Sequence, residues 1–222
     1  MEFLTLDTPH FRMLFSEPDR EWAVRFSVLA EDTVLKLSLA LGISNDIDRQ
    51  DFYICPDAES FILYTGKSAE EYQDWMVGNA DRRLNRLCLL SPRVVADRPP
   101  EAMEQIALHE TVHIVFDQLC DPESVPVWAS EGAAVLYACQ TVIEYLDENN
   151  CPSLADISDD DFAENGGYAY SGVYVWYFIE RFGFEAFKKL YCGAYPSDWY
   201  YSGFEAEAVK TYKQKFLKQE EK

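Results

Sequence analysis

The sequence of 222 residues predicts an α+β fold, with a small mixed lobe over residues 1–117 followed by a mostly helical lobe over residues 118–222. Short apolar runs bounded by turn residues occur in the first half and indicate strands there. Apolar residues at helical spacing occur in both halves and dominate the second. Apolar residues make up 48% of the chain, enough for a substantial core in one compact domain or in two lobes that share a cleft.

Local signals in the first lobe predict three strands and two helices. The strands are expected at 10–15, 51–55 and 85–90, and the helices at 19–41 and 58–64. Gly42 and Gly66 follow the two helices, as is typical of residues that end a helix. The third strand is followed by Ser91-Pro92, which predicts an edge or an end of the sheet.

The motif His109-Glu110-Thr111-Val112-His113 is the clearest chemical signal in a chain with only 3 histidines. Residues four apart share one face of a helix, so both histidines can contact one cation. Glu110 is then placed to accept a proton from a metal-activated water. Pro99-Pro100 before the motif and Asp121-Pro122 after it bound the buried helix that this geometry requires. A core helix whose histidines only form hydrogen bonds is the alternative.

A catalytic zinc ion usually takes three protein ligands, so a third residue must join the two histidines. Asp117 lies about 12 Å along the helix from His109, too far for both to reach one ion. Glu131 is the best candidate, because an ionised carboxylate among the apolar residues of Trp128–Ala134 favours a cation. Its alternative role is an ordinary surface acid. Asp117 either orients a ligand histidine or ends the helix near solvent.

The pair His-Glu-x-x-His and Trp-x-x-Glu-Gly resembles the gluzincin metallopeptidases, which include thermolysin and the zinc aminopeptidases. The opening segment Pro9–Phe15 and the tyrosine-rich segment Tyr168–Gly183 resemble small peptidase-like proteins of that clan. The resemblance implies a single zincin-like catalytic domain over residues 1–222 that binds one Zn²⁺ per chain through His109, His113 and Glu131. It also implies that the protein hydrolyses peptide bonds.

The resemblance also assigns roles to single residues. It makes Glu110 the general base and Tyr168 a hydrogen-bond donor to the transition state, with Tyr170 as the alternative. In this clan the strand before the motif borders the substrate, so Cys88–Leu90 is expected either to pair with an extended peptide or to be simply an edge strand against the core. The chain lacks the Gly-x-Met-Glu-Asn segment of the aminopeptidases, which favours an endopeptidase.

Two other functions fit the same residues. One is a non-catalytic zinc-binding or peptide-binding module on a peptidase fold, and the other is a zinc hydrolase of a non-peptide substrate. The intact Glu110 argues against the first, because a module that cleaves nothing has no use for a general base. Substrate specificity and oligomeric state have no readable signal in the sequence.

Charge and composition exclude some partners. The formal net charge of −20 argues against binding nucleic acid or anionic membranes. No apolar run approaches the length of about 18 residues that a membrane span needs. Without a visible secretory signal, we expect a cytoplasmic protein whose six cysteines are reduced and mostly buried. The acidic cluster at 156–161 is interpreted as a solvated loop, or alternatively as part of the rim of the site.

Overall fold

The computed structural model describes residues 3–81, 83–95, 97–158, 161–194 and 198–217. It contains helices and one mixed sheet, which is compatible with the predicted α+β class. The chain divides into two compact units, Met1–Gln118 and Leu119–Lys222. That the two together form one catalytic domain stays a prediction.

The first unit is built on a five-stranded sheet. Its strands are β1 (Leu4–Asp7), β2 (Phe11–Phe15), β3 (Gln50–Cys55), β4 (Gly78–Asp81) and β5 (Arg86–Leu90). They lie in the order β1-β2-β3-β5-β4, with β2, β3 and β5 parallel and the two outer strands antiparallel to their neighbours. The strands expected at 10–15, 51–55 and 85–90 are confirmed as β2, β3 and β5. The sequence analysis did not predict β1 or β4.

Three helices cover the two faces of this sheet: α1 (Arg20–Leu41), α2 (Ala58–Thr65) and α3 (Pro100–Phe116). Neighbouring residues of a strand point to opposite faces. Phe52 stacks on Phe26 of α1, whereas Tyr53 stacks on Tyr64 of α2. The two helices therefore lie on opposite faces, and α3 packs against α1 and β4. Gly42 ends α1 in the left-handed conformation, as predicted.

The second unit is helical in its described residues, with α4 (Val127–Tyr137), α5 (Gly167–Phe182), α6 (Phe184–Tyr191) and α7 (Phe204–Phe216). The largely buried helix α5 is central, because α4, α6 and α7 all pack against it. Aromatic rings fill the space between these helices. Phe204 of α7, for example, meets Tyr174, Tyr177 and Trp199 edge to face.

Two further expectations concern membranes and cysteines. None of the helices in the described ranges has the length and apolar character that a bilayer crossing requires. The six cysteines all lie in described residues and form no disulfide. Only Cys55 and Cys88 are buried, so the expectation that most cysteines would be buried is wrong.

Candidate metal centre

Helix α3 brings His109 and His113 together on one face. Their Nε2 atoms are 3.1 Å apart, and their rings meet nearly at right angles. Pro100 begins the helix, where its missing N–H costs nothing. The helix ends at Phe116, earlier than the Asp121-Pro122 stop that the sequence suggested, because a tighter bond from the Gln118 N–H to the Val115 carbonyl replaces the helical pattern.

Glu131 of α4 joins the two histidines. One ligand atom from each of His109, His113 and Glu131 lies within 4.8 Å of the other two. His109 is only 7% exposed, and the other two side chains are half-buried. The group predicted from spacing and apolar context is therefore assembled in space, and it can hold a metal ion.

The donor set and spacing suit zinc. Two Zn–N bonds at tetrahedral geometry place their nitrogen atoms about 3.3 Å apart, close to the separation of the two Nε2 atoms. Two imidazoles and one carboxylate form a familiar catalytic zinc set that leaves a fourth position for water. Other divalent metals that accept nitrogen and oxygen ligands also fit this donor set.

Glycine allows the backbone next to Glu131 to approach α5 closely. A Cβ added to Gly132 would lie 2.6 Å from the backbone oxygen of Ser171 and 2.6 Å from Val175 Cγ2. On the facing helix, a Cβ added to Gly172 would lie 2.7 Å from Val135 Cγ1. This reciprocal close packing fixes α4 against α5. The glycine after the glutamate in the Trp-x-x-Glu-Gly motif thus has a packing role that the sequence analysis did not consider.

Glu110 is buried, at 9% exposure, beside strand β4. A Cβ added to Gly78 would lie 2.6 Å from Glu110 Oε1 and 2.7 Å from Ile106 Cγ2. The absence of a side chain at Gly78 therefore makes room for the Glu110 carboxylate. The sequence analysis missed both β4 and this contact.

The strand predicted at 85–90 ends at Leu90, before Ser91-Pro92, as one of the two interpretations expected. The other interpretation, an edge strand, is wrong. Strand β5 pairs with β3 on one side and with β4 on the other, so Cys88–Leu90 has no open edge for a peptide. Strand β4 is the edge strand at this end of the described sheet. The Leu90 N–H donates to the Val77 carbonyl, and hydrogen bonds alternate along an antiparallel pair. The N–H and C=O groups of Gly78 and Ala80 therefore face away from β5.

Cys88 does not behave as a nucleophile in this region. A hydrogen bond with Cys55 and burial together raise the pKa of the Cys88 thiol, so the thiol stays neutral near pH 7. The thiolate is the reactive form of cysteine. Cys88 is therefore a core residue of the sheet.

The two tyrosines considered as transition-state donors have different surroundings in the second unit. Tyr170 is buried, and its hydroxyl accepts a hydrogen bond of 3.0 Å from the Asp147 N–H. Tyr168 is 41% exposed, and its ring packs edge to face on Phe162. Because Tyr170 has a packing role, Tyr168 is favoured as the transition-state donor. The donor role of Tyr168 remains a proposal.

Two other acids that the sequence analysis singled out, Asp117 and Asp156, have ordinary structural roles. Asp117 caps α3 and is half-buried, while a role in orienting a ligand histidine stays a prediction. In the acidic cluster at 156–161, Asp159 and Asp160 lie outside the described residues. The Asp156 carboxylate accepts hydrogen bonds from the Ser153 hydroxyl and N–H, which lower its pKa. Asp156 therefore caps its own loop.

Comparison with family models and with curated proteins finds no match to this chain. The resemblance to gluzincins rests on His109–His113, on Trp128–Gly132 and on the weaker flanking segments. A group of two histidines and a glutamate is compatible with that family without being diagnostic of it.

Proposed function

We propose that the chain is a zinc-dependent metallopeptidase of the gluzincin type, with a zincin-like fold. The observation that carries the proposal is the His109–His113–Glu131 group, assembled with Glu110 in the same turn of α3 as His109. A cytoplasmic location and peptide or protein substrates are parts of this proposal. An endopeptidase is favoured, because the aminopeptidase segment that holds a substrate amino terminus is missing from the sequence.

His109, His113 and Glu131 would hold the metal ion. Bound zinc polarises a carbonyl and lowers the pKa of water to about 7. Glu110 accepts the proton from the attacking water and passes it to the leaving amine. Tyr168 donates a hydrogen bond to the carbonyl oxygen as negative charge develops there. Burial of Glu110 beside β4 limits competing contacts with bulk water.

Strand β4 supports a peptide as the substrate. Its Gly78 and Ala80 present backbone donors and acceptors at an edge of the sheet, and Gly78 contacts Glu110. An extended peptide can add to such an edge as a further strand. Pairing at Gly78 would bring a substrate backbone next to the proposed general base.

Metal content and peptide cleavage together test the proposal. We expect about one zinc per purified chain by elemental analysis, and very little in His113→Ala. Glu110→Gln should keep the metal and lose cleavage of a peptide library by about 10²–10⁴-fold. Glu101→Gln, an exposed acid in the first turn of the same helix, is the matched control and should keep both properties.

Three outcomes would contradict parts of the proposal. Equal cleavage by the parent and Glu110→Gln would exclude this mechanism. Metal binding without cleavage of any peptide would favour a binding module or a hydrolase of another substrate. Absence of metal even after supplementation with zinc would make the histidines a structural remnant.

A further inference from the structure

Trp75 exposes its side chain immediately before the edge strand β4. The residue is 51% exposed, whereas Val77, two positions later, is buried. Exposing an indole ring to water costs free energy, because the apolar surface of the ring is large. An exposed tryptophan is therefore a candidate for a contact with a ligand. A single exposed tryptophan does not by itself indicate a binding site, so the contacts around Trp75 matter.

Backbone hydrogen bonds hold Trp75 in a defined position. Its carbonyl accepts a bond of 3.2 Å from Arg98 Nη2, just before α3. The next residue, Met76, donates its N–H to the Gln73 carbonyl at 2.8 Å, and the Val77 carbonyl is paired with β5. The ring is therefore presented from a turn anchored to both the sheet and the segment leading into α3.

Trp75 is close to the proposed point of cleavage. It lies three residues before Gly78, which contacts Glu110. At about 3.3 Å per extended residue, this separation is at most about 10 Å along the strand. Suppose that a peptide pairs with β4 and that its scissile bond lies at Gly78. The peptide residue two or three positions from that bond would then lie next to Trp75.

We propose that Trp75 forms a wall of a substrate subsite that selects a large apolar or aromatic side chain two or three residues from the scissile bond. This inference rests on the proposed function and adds a substrate class to it. The apolar face of indole suits such a side chain. The guanidinium of Arg98 near the Trp75 backbone opposes a basic side chain. Leu84 is also exposed, but it lies beyond the opposite end of β4 and is farther than Trp75 from Gly78 along the chain. Trp75 is therefore the better candidate for the subsite.

A cleavage profile of the zinc-loaded protein tests the subsite. The parent should prefer Phe, Tyr, Leu or Met over Ala at one position two or three residues from the cleaved bond. Trp75→Ala should reduce that preference, measured as a ratio of kcat/KM values, by about 10-fold or more. Trp75→Phe should restore most of it. Leu39→Ala removes an apolar side chain that is 83% exposed on α1 and should leave the preference unchanged.

The outcomes separate this inference from the proposed function. If the parent cleaves peptides and Trp75→Ala keeps the same profile, or if the parent prefers Lys or Arg at that position, the subsite is wrong while the peptidase stands. If the parent cleaves nothing, the affinity of zinc-loaded Glu110→Gln for a Phe-containing and an Ala-containing peptide, by calorimetry, still tests the subsite. The subsite is supported if Glu110→Gln binds the Phe-containing peptide more tightly and adding Trp75→Ala removes that difference. Equal affinities of Glu110→Gln for the two peptides overturn the subsite.

Discussion

The imidazole ring of His10 lies in electrostatic surroundings opposite to those of the paired rings of His109 and His113. Both ring nitrogens of His10 contact oxygen atoms, with Nδ1 at 2.6 Å from Glu31 Oε2 and Nε2 at 2.7 Å from the Asn45 carbonyl. His109 and His113 instead turn one nitrogen each toward the other, with the Glu131 carboxylate nearby. Hydrogen-bond acceptors face both nitrogens in the first arrangement, whereas a shared cation suits the second.

This difference shows why a histidine count alone carries little information about metal binding. Both regions combine imidazole with a glutamate, and both lie on α-helices or next to them. The number of nitrogen atoms directed at one point distinguishes them. The first region is therefore expected to contribute to stability, and the second to metal binding and activity.

The largest expected effect separates the two glutamates. Glu131→Ala should weaken zinc binding by more than about 100-fold, because it removes one of three protein ligands. Glu31→Ala should leave zinc binding unchanged. Competition with a chromogenic chelator measures both affinities. Equal zinc affinity in Glu131→Ala and the parent would show that another residue supplies the third ligand.

A substitution on β4 should separate the general base from the ligands. Gly78→Ala places a methyl group where the Glu110 carboxylate and Ile106 now lie, so it should displace the carboxylate. We expect cleavage to fall by about 10–100-fold with zinc content unchanged, since misplacing a catalytic group by about 1 Å has costs of this size. Asn79→Ala, which changes the opposite face of the strand, is the control. Unchanged cleavage in Gly78→Ala would mean that Glu110 is not the base or moves without cost.

A substitution next to the third ligand tests how α4 supports it. Gly132→Ala should lower the free energy of unfolding by about 1–3 kcal/mol, because its methyl group would clash with the Ser171 backbone. Zinc affinity should also fall, since α4 must shift to relieve the clash. Chemical denaturation with and without a chelator measures both effects. Full stability together with full zinc affinity would show that the close packing of the two helices is dispensable.

The smallest effect concerns the His10 region and depends on pH. Burial alone would raise the pKa of Glu31, but hydrogen bonds from Thr8 and His10 lower it below its usual value. The stabilisation is therefore present above about pH 4.3, the usual pKa of glutamate in an unfolded chain, and is lost as the pH falls through the lower folded pKa. Glu31→Gln should reduce the free energy of unfolding by about 0.5–1.5 kcal/mol at pH 7 and flatten its decrease in acid. An identical acid profile in parent and variant would contradict this role.

Local patterns predicted much of the fold and of the candidate site. Helix α1 and strands β2, β3 and β5 follow from spacing within short windows, and the two histidines from a motif within one turn of helix. Glu131 could be identified because a carboxylate among apolar residues favours a cation. Each of these inferences needs only the neighbours along the chain.

The missing parts depend on contacts between distant segments. Strand β4 reads Gly-Asn-Ala-Asp, with neither β-branched nor aromatic residues, so nothing local predicts a strand. Its existence is decided by pairing with β5, and that pairing also makes the edge assignment of β5 wrong. The roles of Gly78 and Gly132 likewise depend on the elements that face them.

The open edge at β4 has a consequence for handling the protein in concentrated solution. The outward-facing backbone groups of β4, an edge strand of the described sheet, can pair with the sheet edge of a second molecule as readily as with a peptide. The side chains of Trp75 and Leu84 add exposed apolar surface beyond the two ends of the strand. A net charge of −20 keeps the molecules apart through mutual repulsion. High salt screens that repulsion, and pH values near the pI of about 4.4 remove it. Dilute, low-salt buffers at neutral pH should therefore keep the protein dispersed, and a short bound peptide should protect it where those conditions cannot be met.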